Sequence, residues 1–237
     1  MDRKILLPLI AAASLGSLGF WLLMPPSDLE DEIPRLPWLV EQDGAGHIQV
    51  FGFTLGKTTL AQIRAFFREE GKINLFASLD ARGQPVEYTV EAYFDRIYLQ
   101  GLRGDFIFTL ATDADQLAPL YERGLRISQL PSGAKKVDLN PADLETLLQV
   151  PIRSLTYLPW KSLDADILNR RFGPPAEKRR EPKTGVEHWL YPQKGMDIAM
   201  DPQGRVVIQY LNPADFTKAL APLRHESRTA PRPQAAE

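Results

Sequence analysis

The chain has 237 residues, 44% hydrophobic and 24% charged, and its 28 Lys and Arg against 30 Asp and Glu leave a net charge of −2. A balance so close to neutral offers no general attraction to nucleic acid or anionic lipid, so no nucleic-acid partner is expected. The absence of cysteine excludes disulfides, thiol catalysis, Cys-type metal sites and attachment through a lipidated cysteine.

Ile5 to Met24 is an apolar run of 20 residues without a charge, preceded by Arg3 and Lys4 and followed by Asp28, Glu30, Asp31 and Glu32. At about 1.5 Å per residue such a helix spans roughly 30 Å, the thickness of a hydrocarbon core. The flanking charges place the amino terminus in the cytoplasm and the rest of the chain outside it. The reading is a stub and transmembrane anchor over 1–24, with the membrane as a partner through residues 5–24. A cleaved signal peptide is the competing account, but its apolar core is shorter and closes on small residues, whereas Phe20, Trp21, Leu22 and Leu23 close this one. Ala12, Gly16 and Gly19 share one helical face, a route to a homo-oligomer, although small residues are common in membrane helices anyway.

Residues 25–47 carry Pro25, Pro26, Pro34 and Pro37 with Gly44 and Gly46, a composition that resists helix and favours an extended linker. Within it Trp38, Leu39 and Val40 are apolar enough to dock on the bilayer interface or on the domain. A first unit over 48–149 opens with strand-like Ile48 to Phe53. A helix follows from about Thr58, with Leu60, Ile63, Phe66 and Phe67 on one face. Alternating apolar positions then mark strands at 73–79, 86–90, 97–99 and 106–110, the pattern of an antiparallel meander. Helices follow from Asp113 and from Asn140-Pro141, the second with asparagine as cap and proline first.

A second unit over 150–214 repeats the order. With Ile48 laid on Ile152 (152 − 48 = 104), Lys57 meets Lys161, Thr58 meets Ser162 and Ile63 meets Ile167. Phe172-Gly173-Pro174-Pro175 breaks the helix, a charged stretch runs to Lys183, and strands follow at Val186 to Tyr191, Gly195 to Met200 and Arg205 to Leu211. Residues 215–237, rich in proline, alanine and charge, suit a flexible tail. The expected fold class is therefore α+β: an N-terminal transmembrane helix, then two helix-plus-antiparallel-meander units.

Few residues carry chemistry. Gly52-Phe53-Thr54-Leu55-Gly56-Lys57-Thr58 falls one residue short of a Walker A loop, with Phe51 where the first glycine is needed, so it reads as a helix-entry turn. His47, His188 and His225 are dispersed without metal-ligand spacing, no serine sits in G-x-S-x-G, and no cofactor or metal is expected. Asp113-x-Asp115 and Asp164-x-Asp166 sit where carboxylates complement a helix dipole. The candidate contact surface is a basic cluster of Arg170, Arg171, Lys178, Arg179, Arg180 and Lys183, diluted by Glu177 and Glu181.

The run Phe172-Gly173-Pro174, Glu187-His188-Trp189-Leu190-Tyr191, Gly195-Met196-Asp197-Ile198, Asp201 to Gly204, Val206-Val207-Ile208 resembles the small outer-membrane-assembly lipoproteins of the SmpA/OmlA type. The resemblance covers about residues 157 to 211 and, less distinctly, 50 to 112. It implies a two-helix, three-strand α+β domain and an accessory scaffold in the bacterial envelope. The lipidated cysteine is missing and an anchor replaces it, so attachment to the outer membrane does not carry over. The expectation is a non-catalytic protein of the bacterial inner membrane, single-pass, with its globular region in the periplasm, binding an envelope protein or polymer. The rival is an anchored periplasmic hydrolase using His188 with Asp197 or Glu187. A cavity holding His188 beside a carboxylate and a hydroxyl would favour the hydrolase, and a shallow aromatic surface would favour the binder.

Overall fold

The computed structural model describes residues 34–219. The expected anchor, the first part of the linker, His225 and most of the tail lie outside them. Among the described residues no helix is long and apolar enough to cross a membrane.

The chain opens with a small three-stranded sheet: β1 (Glu41–Gln42), β2 (Ile48–Val50) and β3 (Phe53–Thr54). Phe51 and Gly52 join β2 to β3 at φ +56° and +85°, the two left-handed residues of a type I′ hairpin. Left-handed backbone strains a bulky residue, and Phe51 is there because its ring is buried edge-on to Phe106, Tyr157 and Tyr210, at 5.0, 5.2 and 6.1 Å. The near-Walker stretch is thus a hairpin and helix entry. Helix α1 (Leu60–Phe67) is capped by Thr59, whose side chain accepts from the Gln62 amide while Gln62 accepts from the Thr59 amide.

Strands β4 (Lys72–Leu79), β5 (Pro85–Leu99) and β6 (Leu102–Leu110) form the meander the alternation marks, with 86–99 as one long strand bulged near Arg96. Helix α2 (Ala114–Glu122), strands β7 (Arg126–Gln129) and β8 (Lys135–Asp138), and helix α3 (Pro141–Leu147) follow. Asn140 caps α3 by accepting from the Asp143 amide at 2.8 Å. Then come β9 (Ile152–Pro159) and helix α4 (Ala165–Phe172), capped by Asp164. The chain ends with β10 (Glu177–Arg180), β11 (Glu187–Tyr191), β12 (Met196–Met200), β13 (Val206–Leu211) and helix α5 (Pro213–Ala219).

The expected α+β class with two helix-plus-antiparallel-meander units is overturned. Strands take 42% of the described residues against 21% for helices, and ten of them form one antiparallel sheet in the order β10-β11-β12-β13-β9-β6-β5-β4-β8-β7. The reason is β9. Its residues 152–159 pair with β6 on one side, Thr156 opposite Ile107, and Ser154 to Tyr157 pair with β13 on the other, Thr156 opposite Gln209. Two separate meanders would each leave ladder groups unpaired where β9 now lies, and β9 satisfies both rows at once.

One face of this sheet carries the core. Phe94, Phe106, Phe108, Tyr157, Ile208 and Tyr210 meet Leu60 and Ile63 of α1, Leu117 of α2, Leu147 of α3 and Leu168 of α4 in a single apolar cluster. Part of the expected linker joins it: Trp38 stands edge-on to Phe172 at 6.1 Å, and the buried Tyr210 hydroxyl donates to the Pro37 carbonyl at 2.7 Å. The opposite face presents the odd positions of β6, of β13 and of β5 before its bulge, and the even positions of β9 from Ser154 on, mostly half-buried; there Phe216 of α5 covers Leu190 and Leu211.

Replacing Phe51 by alanine should cost about 3–5 kcal/mol, read as a lower urea midpoint at unchanged slope. Gly104→Ala should also destabilise, by about 1–3 kcal/mol, because a Cβ there would lie 2.3 Å from the Tyr157 ring and 2.6 Å from the Leu158 carbonyl. A wild-type midpoint in either variant would contradict the packing described.

Candidate functional site

Where β9 ends, Pro159 closes the ladder opposite Gly104 and the chain turns over the end of the sheet as Trp160-Lys161. The Trp160 amide donates to the Arg103 carbonyl at 3.0 Å, which holds this turn against the start of β6. The Trp160 ring is 53% exposed, yet it is not loose, since its Nε1–H donates to Asp105 Oδ1 at 2.9 Å. Asp105 in turn accepts from the Arg96 amide at 2.9 Å and, through Oδ2, from the Tyr93 hydroxyl at 2.8 Å. Burial alone would raise the Asp105 carboxyl, but the Arg96 amide, Tyr93 hydroxyl and Trp160 indole together hold it below the usual value. Burial first, then the same Asp105 bond, pushes the Tyr93 hydroxyl up to about 12.

Trp160 is a ridge between two clefts. The first, about 400 Å³, is lined by Trp38, Tyr98, Tyr157 and Trp160 together with Arg103 and Lys161. The second, about 490 Å³, has Leu158, Val186, Ala199 and Val207 beneath Trp160 and an Asp201–Arg205 ion pair of 2.6 Å beside it. Pro159, Trp160 and Lys161 belong to both. The Gln100-Gly101 turn that joins β5 to β6 supplies a wall of the first cleft and holds Tyr98, 66% exposed, under the Arg103 guanidinium at 5.6 Å.

His188 lies elsewhere, on the second face of β11. Its Nδ1 meets Asp197 Oδ2 at 2.8 Å and its Nε2 meets Glu181 Oε1 at 3.2 Å. Both neighbours are carboxylates, which when ionised accept only, so the site favours the doubly protonated ring. The Asp197 hydrogen bond, outweighing burial and aided by Glu181, raises His188 above its ordinary 6.5. Glu181 sits below 4.5, held there first by the Thr184 hydroxyl that donates to it and then, against burial, by His188. Asp197 is the partner named from sequence, and Glu187 is not: it faces the other way and accepts from the Trp189 indole at 2.7 Å. Glu181 takes its place. With both ring nitrogens of His188 against carboxylates, and with Thr184 turned to Glu181, the cluster aligns no hydroxyl with the imidazole. It braces β11, β12 and the turn after β10.

The basic cluster divides. The charged stretch is an edge strand, so Lys178 points to one face and stacks over Trp189 at 3.7 Å, while Arg179 points to the other and forks onto Glu177 at 2.6 and 2.9 Å. Arg171, in the last turn of α4, lies 4.7 Å over the Trp38 ring. Arg170 and Arg180 are exposed, and Lys183 is exposed in the turn that follows β10. The strand brings Lys178 and Arg180 to one side of the sheet and does not collect all six. His47 and Lys57 converge on Asp43, at 3.0 and 2.7 Å, and these bonds, that of Lys57 foremost, hold the Asp43 carboxyl far below the usual range. Among the described residues no group of three His, Cys, Asp or Glu is placed to hold a metal.

No family model, curated protein or solved structure matches this chain.

The His188 cluster sets a pH dependence whose sign follows from its shifts. A proton that the fold favours on His188 stabilises fully below pH 6.5 and is lost as pH rises through the raised value. A charge that the fold favours on Glu181 stabilises above pH 4.5 and is lost as pH falls through the lowered value. Between those limits the cluster contributes most. Urea midpoints of wild type should therefore fall between about pH 5.5 and about pH 8.5 more than those of His188→Gln; parallel falls would remove His188 from the account.

Proposed function

We propose that this chain is a membrane-anchored, non-catalytic binding protein of the bacterial envelope, held by residues 5–24 with its globular region in the periplasm, where it serves as an accessory or scaffold for another envelope protein or polymer. The observation that carries the reading is the pair of clefts flanking Trp160: an exposed aromatic ridge, locked by Asp105, with apolar ground on both sides and no reactive group converging on it. Rigid aromatic rings contribute contact area at low entropic cost, the usual property of a binding hot spot. The hydrolase reading would need a base and a nucleophile in line, and both ring nitrogens of His188 are committed to carboxylates. The SmpA/OmlA resemblance over 157–211 supports the same class of role, since the Trp160 turn and the second cleft lie inside that stretch.

Two measurements test it. Protease supplied to the periplasm of opened cells should digest the globular region; protection until the inner membrane is broken would end the localisation. A photo-crosslinking amino acid in place of Trp160 should give a discrete adduct in living cells, one that the same group at the exposed Arg153 does not give. Trp160→Ala should weaken capture by about tenfold or more with little loss of stability, as for a hot-spot residue on a half-exposed surface. Equal adducts from positions 160 and 153 would overturn the assignment of this surface.

A further inference from the structure

We propose that the surface around Trp160 takes an acidic, extended peptide segment of a partner protein, with a carboxylate at the rim of the first cleft and an apolar side chain in the second. This rests on the binding reading above and adds the chemistry of the partner.

The charges decide it. Among the described residues the first cleft is lined by two cations, Arg103 and Lys161, the second of which it shares with its neighbour, and by no carboxylate. Asp105, which holds the Trp160 indole, is already committed to that indole, the Tyr93 hydroxyl and the Arg96 amide. Among the described residues neither cation has an ion-pair partner; Arg103 rests on the Tyr98 ring and Lys161 is exposed. In a chain of net charge −2, this is a local surplus of positive charge held against an aromatic wall. Such a rim attracts an anion, and the wall gives that anion's apolar neighbours a place to lie.

Shape then separates the sources of an anion. A bilayer is flat or convex at this scale and cannot press headgroups into a recess lined by Trp38 and Tyr157, which lie behind the rim. A chain in extended conformation can, because alternate side chains of such a segment point to opposite sides. The clefts meet at Pro159, Trp160 and Lys161, which line both, so a strand-like segment laid over the ring can direct alternate side chains to each. In the second cleft Asp201 is neutralised by Arg205, and Leu158, Val186 and Val207 suit an apolar side chain.

The test is a selection of random peptides displayed on phage against the full chain held in nanodiscs of zwitterionic lipid, repeated on the double variant Arg103→Glu, Lys161→Glu and on Trp160→Ala. Both cations are exposed and make no ion pair among the described residues, so the double variant should keep the wild-type thermal midpoint. The expected result is enrichment of peptides with Asp or Glu beside an apolar residue. The selected peptides should bind the double variant at least about tenfold more weakly at low ionic strength, with the gap narrowing as salt is added, and should be lost on Trp160→Ala. Enrichment of neutral peptides that depend on Trp160 but ignore the charge reversal would overturn the acidic assignment and leave the binding surface standing. So would an empty selection while the crosslink at position 160 persists. Charge-dependent binding to vesicles of phosphatidylcholine and phosphatidylglycerol, without peptide enrichment, would overturn it in favour of a lipid headgroup. If the crosslink and the selection both fail, the binding reading fails with it.

Discussion

The structure depends on a strand with no free edge. β9 pairs with β6 along its length and with β13 through Ser154 to Tyr157, and through that double ladder two meanders become one sheet with one core. Its other contacts lock the same position from above. The Phe51 ring packs on Tyr157 of β9, Tyr210 of β13 and Phe106 of β6, so a single buried ring spans β9 and the two strands it joins. At its start, the Ile152 amide donates to the Thr58 carbonyl at 2.9 Å and the Gly56 amide to the Ile152 carbonyl at 2.7 Å, which ties the helix entry to the same strand. Strain at Phe51 persists because the surrounding rings leave no other site for its side chain.

Local signals were legible where one face of an element is apolar and the other wet. The three- and four-residue spacing of Leu60, Ile63 and Phe67 marked α1, and the two-residue spacing of Ile73, Leu75 and Ala77 marked β4, because each pattern follows from burial of one face. What joins elements was not legible. Nothing in Ile152 to Tyr157 states that the strand is paired on both sides, since pairing is made by backbone groups common to every residue. β10 escaped for a related reason: Glu-Lys-Arg-Arg has no apolar alternation, yet on an edge it needs only one ladder, and its charges hinder pairing with another chain.

The site was less legible than the fold. His188 with Asp197 could be named because strands joined by a short turn bring nearby positions together, but Glu181 in place of Glu187 follows from strand parity, which sends Glu187 and His188 to opposite faces. Parity also divided the basic residues, which sequence adjacency had grouped. Trp160 carried no periodic signature at all. The one available signal was a large aromatic between a proline that ends a strand and a run of polar residues, Pro159-Trp160-Lys161-Ser162, where burial gives no reason for an indole.

Ring and rim act on different parts of binding. Trp160 is held by its indole N–H and by a backbone bond to Arg103, so little freedom remains to be lost when a partner covers it, and its contribution falls on the lifetime of a complex. Arg103 and Lys161 extend into solvent, where screening cuts their reach to roughly 8 Å at physiological salt. They act mainly on encounter, and added salt weakens that step while leaving the apolar contact intact. The chain's near-neutral balance makes the distinction sharper, because no large field of either sign competes with two cations at the cleft. A partner recognised in this way is captured through charge and retained through the ring, and each half of the process answers to a different residue.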